Sequence, residues 1–80
     1  MKIPAIKQLV EQYGIEQLEE AELAILEERT PGITIEGKDE GEQLTHAMAA
    51  LEILREVRQS GASVTEALRN YTQRVRKSIS

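Results

Sequence analysis

Apolar residues recur along this chain with a helical period in four stretches and with a period of two in one. Ile3, Ile6, Val10 and Tyr13, with Leu9 beside them, predict a first helix over 3–13. Pro4 falls in its first turn, where a missing N–H costs nothing, and Gly14 terminates it. Ile15, Leu18, Ala21, Ile25 and Leu26, widened by Leu23, predict a second helix over 16–28. Glu16, Glu19 and Glu20 sit near its N-terminus, where the helix dipole favours negative charge. Glu27 and Glu28 sit at the unfavourable end, offset locally only by Arg29.

The second half repeats this helical pattern. Asp39 followed by Glu42 resembles a capping box and opens a third helix over 40–59. Two apolar stripes run along it: Leu44, Ala47, Met48, Leu51 and Leu54, then Ala50, Ile53 and Val57. A helix apolar over so wide an arc is central, or covered on two sides. Ala47, Ala49 and Ala50 allow another helix to approach closely. Ser60-Gly61 closes this helix, and Ser63 with Glu66 three residues later opens a fourth. Its stripe is Val64, Ala67, Leu68, Tyr71, Val75 and Ile79, with Arg74, Arg76 and Lys77 in the last turns.

Between the helical pairs, Ile33-Thr34-Ile35-Glu36 alternates apolar and polar, is rich in β-branched residues, and is bounded by Pro31-Gly32 and Gly37. This predicts one short central strand. The expected fold is mainly α, a compact four-helix domain in the order α-α-β-α-α, with residues 1–80 as one unit. A lone strand leaves its backbone groups unpaired, so the expected remedy is antiparallel pairing of Ile33, Thr34, Ile35 and Glu36 with a second copy about a two-fold axis.

Size strengthens the expectation of a homodimer. A chain of 80 residues buries only about 60% of its unfolded surface. With no cysteine it has neither a disulfide framework nor a thiolate metal site. Tyr13 and Tyr71 are its aromatic residues, so Ile, Leu, Val, Ala and Met must build the core. No stretch of about 18 apolar residues is present and the start does not read as a signal peptide, so a cytoplasmic protein without a membrane partner is expected.

The net charge of −4 hides a division. Residues 16–42 carry ten acidic and two basic side chains; residues 43–80 carry three acidic and six basic. Acidic helix 2 is therefore expected near basic helix 4, in the same chain or across a dimer, as an effect on orientation more than on stability.

Candidate chemistry is sparse. His46, the one histidine, lies four residues after Glu42 on one helix face, which suits a general acid/base pair oriented by the carboxylate. No nucleophile accompanies them, and a histidine making an ordinary i, i+4 contact has the same spacing. The loop around Asp39 is acidic but lacks the alternating ligands of a calcium loop, and its glycines do not form a phosphate loop. No metal or other cofactor is implied. Helix 3, Ser60-Gly61-Ala62-Ser63 and helix 4 have the outline of a helix-turn-helix, with Arg69, Arg76 and Lys77 as a basic partner face. The acidic balance and Glu66 near the start of helix 4 weigh against nucleic acid.

Lys2-Ile3-Pro4 with Ile6-Lys7-Gln8-Leu9-Val10, Asp39-Glu40-Gly41-Glu42-Gln43-Leu44-Thr45-His46, Tyr71-Thr72 and Arg74-Val75-Arg76 together resemble a family of small uncharacterised bacterial proteins across nearly the whole chain. That resemblance brings no catalytic residues with it. The leading expectation is thus a non-catalytic protein-interaction or structural module acting as a homodimer, with a further, unidentified protein partner. A small enzyme or ligand-binding domain using Glu42 and His46, and a nucleic-acid adaptor using the basic face of helix 4, are the alternatives.

Overall fold

The computed structural model describes residues 2–79, with side chains through Lys77. Four helices follow one another: α1 Ile3–Gln12, α2 Ile15–Leu26, α3 Glu40–Ser60 and α4 Val64–Ile79. α3 is the hub, and α1, α2 and α4 each pack on it. The result is a slab of 32 × 28 × 18 Å, with α3 running through its middle.

Local chemistry fixes most of the helix ends. Only Tyr13 and Gly14 separate α1 from α2, and Gln17 Oε1 accepts the Gly14 N–H at 3.1 Å, the side-chain half of a capping box. Asp39 caps α3 through Oδ1, which accepts the Glu42 N–H at 2.8 Å. Ser63 does the same for α4, accepting the Glu66 N–H at 3.1 Å. Gly61 ends α3 at φ 73°, in the left-handed region that glycine enters without cost, and its N–H reaches the Val57 carbonyl.

α2 stops two residues before the predicted boundary. Glu28 turns to φ 60°; its N–H bonds to the Ile25 carbonyl, and the Arg29 N–H bonds to the Ala24 carbonyl at 2.7 Å. This paired set is a Schellman motif, with a glutamate at the left-handed position where glycine is usual. Glu27 pairs with Arg29 at 2.6 Å, which answers locally the misplaced charge noted in the sequence.

The predicted central strand is absent: among the described residues no β-strand forms. The alternation was informative about direction, since Ile35 is buried, Ile33 is half-buried, and Thr34 and Glu36 face outward. What covers Ile35 is the helical core, of which it is a member. The segment is an extended connector laid on the helices. It passes so close to α3 that a Cβ on Gly37 would stand 2.8 Å from Gln43 Cγ and 2.9 Å from Gln43 N. The strand-paired dimer falls with the strand, because the Glu36 carbonyl is taken by His46 of its own chain.

The core combines Ile6, Leu9 and Val10 of α1, Leu18, Ala21 and Ile25 of α2, Ile35 of the connector, Ala47, Ala49, Ala50, Leu51 and Ile53 of α3, and Ala67 of α4. Three leucine-sized residues expected inside are instead outside: Leu23 is 50% exposed, Leu26 61% and Met48 52%. Buried Ala24 and Ala49 occupy the inward arcs beside them. α4 is the least covered helix. Among its described side chains Ala67 is buried, while Val64, Leu68, Tyr71 and Val75 are only half-buried.

The left-handed Glu28 yields a stability prediction. Glu28→Gly should raise the unfolding free energy by about 0.5–1 kcal/mol, by relieving a Cβ clash that costs roughly 1–2 kcal/mol against the added freedom of the unfolded chain. Glu28→Ala, which keeps the Cβ, should leave the urea midpoint nearly unchanged. Equal midpoints for the two variants would show that the conformation carries no such cost.

Candidate functional site: the histidine clip and the outer grooves

The residues singled out by the sequence, Asp39, Glu42 and His46, do come together at the start of α3, but as a structural lock. His46 is completely buried. Its Nε2 lies 2.9 Å from the Lys2 backbone nitrogen, and its Nδ1 lies 2.6 Å from the Glu36 carbonyl oxygen. A backbone N–H can only donate, so Nε2 is the bare nitrogen; Nδ1 then carries the proton and donates it to Glu36. The imidazole thereby joins three parts of the chain: the entry to α1, the connector and α3. A long pair from Lys2 Nζ to Glu36 Oε1, 3.7 Å and exposed on both sides, spans the same junction but adds little.

Glu42 shares the helix face of His46, as the spacing predicted, yet its carboxylate takes a hydrogen bond from the connector backbone. Glu42 Oε1 accepts the Lys38 N–H at 2.9 Å. That hydrogen bond, helped by the nearby charge of Lys2, holds the Glu42 carboxyl below the usual carboxylate range, despite some opposing loss of hydration. Asp39 is spent on the α3 cap. Each polar group of the suspected dyad is thus engaged with backbone, and the ring has no free nitrogen with which to take a substrate proton. Among the described residues no group of three metal-ligating side chains converges.

Two grooves flank α4. The larger, about 720 Å³, runs along α3 between α2 and α4. Met48, Ala49 and Tyr71 give it apolar surface, and Glu22, Glu52, Arg55, Glu56 and Arg74 line it with both charges. Those charges are largely paired. Arg74 reaches Glu52 at 3.1 Å and Glu56 at 3.2 Å, and Arg55 reaches Glu19 of α2 at 3.1 Å. The acidic and basic blocks of the sequence therefore meet through α3, which carries partners for both flanking helices. Tyr71, 6.0 Å beneath the Arg74 guanidinium, has its phenol pushed up by burial and by Glu52, with Arg74 opposing.

The smaller groove, about 380 Å³, lies between α4 and the start of α1. Ile3 and Leu68 form its apolar part, with Thr65, Arg69, Thr72, Gln73 and Arg76 around them. No acidic side chain is among these lining residues. Arg69 and Arg76, two turns apart, share this groove; Lys77 lies beyond it on the last turn of α4.

Sequence reasoning found His46 and Glu42 but missed Lys2, whose contribution is a backbone N–H and leaves no side-chain signal. It also missed Arg74 as the residue tying α4 to α3; the charge blocks held that information without its address.

The architecture is a small all-helical domain in which the one buried polar side chain among the described residues is a structural histidine. The chain belongs to the family described as a family of unknown function (DUF6952), whose model matches residues 1–80. No curated protein and no solved structure matches it.

Two consequences are measurable. His46→Phe keeps an aromatic ring but removes both hydrogen bonds, leaving the Lys2 N–H and Glu36 carbonyl without their partner. The unfolding free energy should fall by about 2–4 kcal/mol, read from urea denaturation; a loss within error would mean that the clip is dispensable. Glu42 has a folded-state pKa below its unfolded one, so its contribution is full above the ordinary carboxylate range and disappears as pH falls through the depressed folded value. Glu42→Gln should accordingly flatten the acid limb of stability from about pH 5 downward. Parallel acid limbs for wild type and variant would refute this assignment.

Proposed function

We propose that this domain is a non-catalytic protein-interaction module acting as a homodimer through its helical surface. The observation that carries the reading is the outward placement of Leu23, Leu26 and Met48, each at least half exposed in a chain this short. Alanines fill the core at neighbouring positions while larger apolar side chains face solvent, an arrangement that suits burial against another protein. The commitment of Glu42 and His46 to backbone hydrogen bonds supports the same reading over an acid/base enzyme. No helix among the described residues is long and apolar enough to cross a membrane.

Sedimentation equilibrium from about 1 to 200 μM, a span that brackets micromolar affinities, tests the proposal. Wild type should show reversible association that weakens at least about tenfold, a change of 1.4 kcal/mol, in a Leu23→Lys, Leu26→Lys, Met48→Lys variant of unchanged helical circular dichroism. A wild-type protein that remains a monomer throughout would overturn the homodimer.

A further inference from the structure

We infer that the groove between α1 and α4 is the receptor for α2 of a second copy of this chain. This rests on the homodimer reading above and assigns its two contacting surfaces.

The argument begins with α2. Its inward arc carries Leu18, Ala21 and Ile25, all buried. At 100° per residue, the opposite arc holds Leu23 and Leu26 flanked by the exposed Glu16 and Glu20, with Glu19 and Glu27, also exposed, already paired to Arg55 and Arg29. An exposed apolar pair at i, i+3 inside a ring of carboxylates is the pattern of a helix that docks into a basic-rimmed groove.

The groove beside α4 has the complementary character. It offers Ile3 and Leu68 as apolar contact, half-buried and open to a neighbour, and Arg69 and Arg76 as cationic rim, with no carboxylate among its lining residues. Its α4 wall runs from Thr65 to Arg76, about 16 Å at 1.5 Å per residue. α2 has 12 residues and is about 18 Å long, so the two match in length. The larger groove is a poorer receptor for an acidic helix, because Glu22, Glu52 and Glu56 already line it and its arginines are paired. Within one chain α2 and α4 both pack on α3, and the exposed arc of α2 points away from that packing. A second copy supplies an acidic α2 with the required polarity.

The contact joins unlike surfaces, and the proposed dimer closes by using one α2 and one groove of each copy, two equivalent contacts about a two-fold axis. Association should steepen at low salt, since the rim charges are exposed and screened beyond about 10 Å at 0.1 M.

A charge exchange tests the assignment by sedimentation, with circular dichroism as the check on folding. One variant is Arg69→Glu with Arg76→Glu; the other is Glu16→Arg with Glu20→Arg, at exposed positions outside the Glu19–Arg55 and Glu27–Arg29 pairs. Each alone should weaken self-association at least about tenfold, while their equimolar mixture should recover wild-type association to within about threefold, because every acidic surface again meets a basic one. If wild type self-associates and neither variant changes it, this assignment is overturned and the homodimer reading stands. If each variant dissociates but the mixture does not recover, the two surfaces do not meet and the assignment falls. A wild-type monomer at every concentration and at low salt overturns both, including where the same arginines prove to bind a different acidic protein.

Discussion

Everything in this fold depends on where the imidazole of His46 is held. A short chain with few large side chains must position a helical hairpin, a 13-residue crossing and a long helix with little apolar area to spare. One ring does much of this by donating to the connector and accepting from the start of α1. Its burial makes both bonds consequential, because a buried polar group left without a partner costs more than a made bond gains. The connector then needs no strand partner, Gly37 can come against α3, and Ile35 enters the core.

What could be read from the sequence and what could not divide along a physical line. The caps at Asp39 and Ser63 were legible because capping is chemistry between residues three apart. The helices themselves were legible from period, and the width of the α3 stripe announced its central place. Ile33–Glu36 was misread because alternation says which side chains face inward and is silent on whether a strand or a helix awaits them. The end of α2 was overrun because nothing local marks Glu28 as left-handed. Leu23, Leu26 and Met48 were assigned to the interior on hydrophobicity, yet close helix packing in this slab prefers the alanine arcs beside them. His46 was found as a candidate with the wrong role, since its defining partners lie 44 and 10 residues away and both belong to backbone.

Electrostatics here serves arrangement more than stability. The exposed pairs on α3 are each worth little, about 0–1 kcal/mol. Together they use α3 as a mediator: Arg55 answers the acidic α2, while Glu52 and Glu56 answer the basic α4. What this leaves over is a surface with opposite signs on its outer flanks, acidic along α2 and basic beside α4.

The hub topology also leaves the three flanks unequally held, since each leans on α3 and not on the others to the same degree. α1 and α2 each place several fully buried side chains against the hub, and α1 is clipped in addition. α4 places Ala67 there and rests the remainder of its described stripe half in water. The C-terminal helix is therefore the flank that covers the hub with the least buried side-chain surface, while α1 and the connector are held to α3 by the histidine.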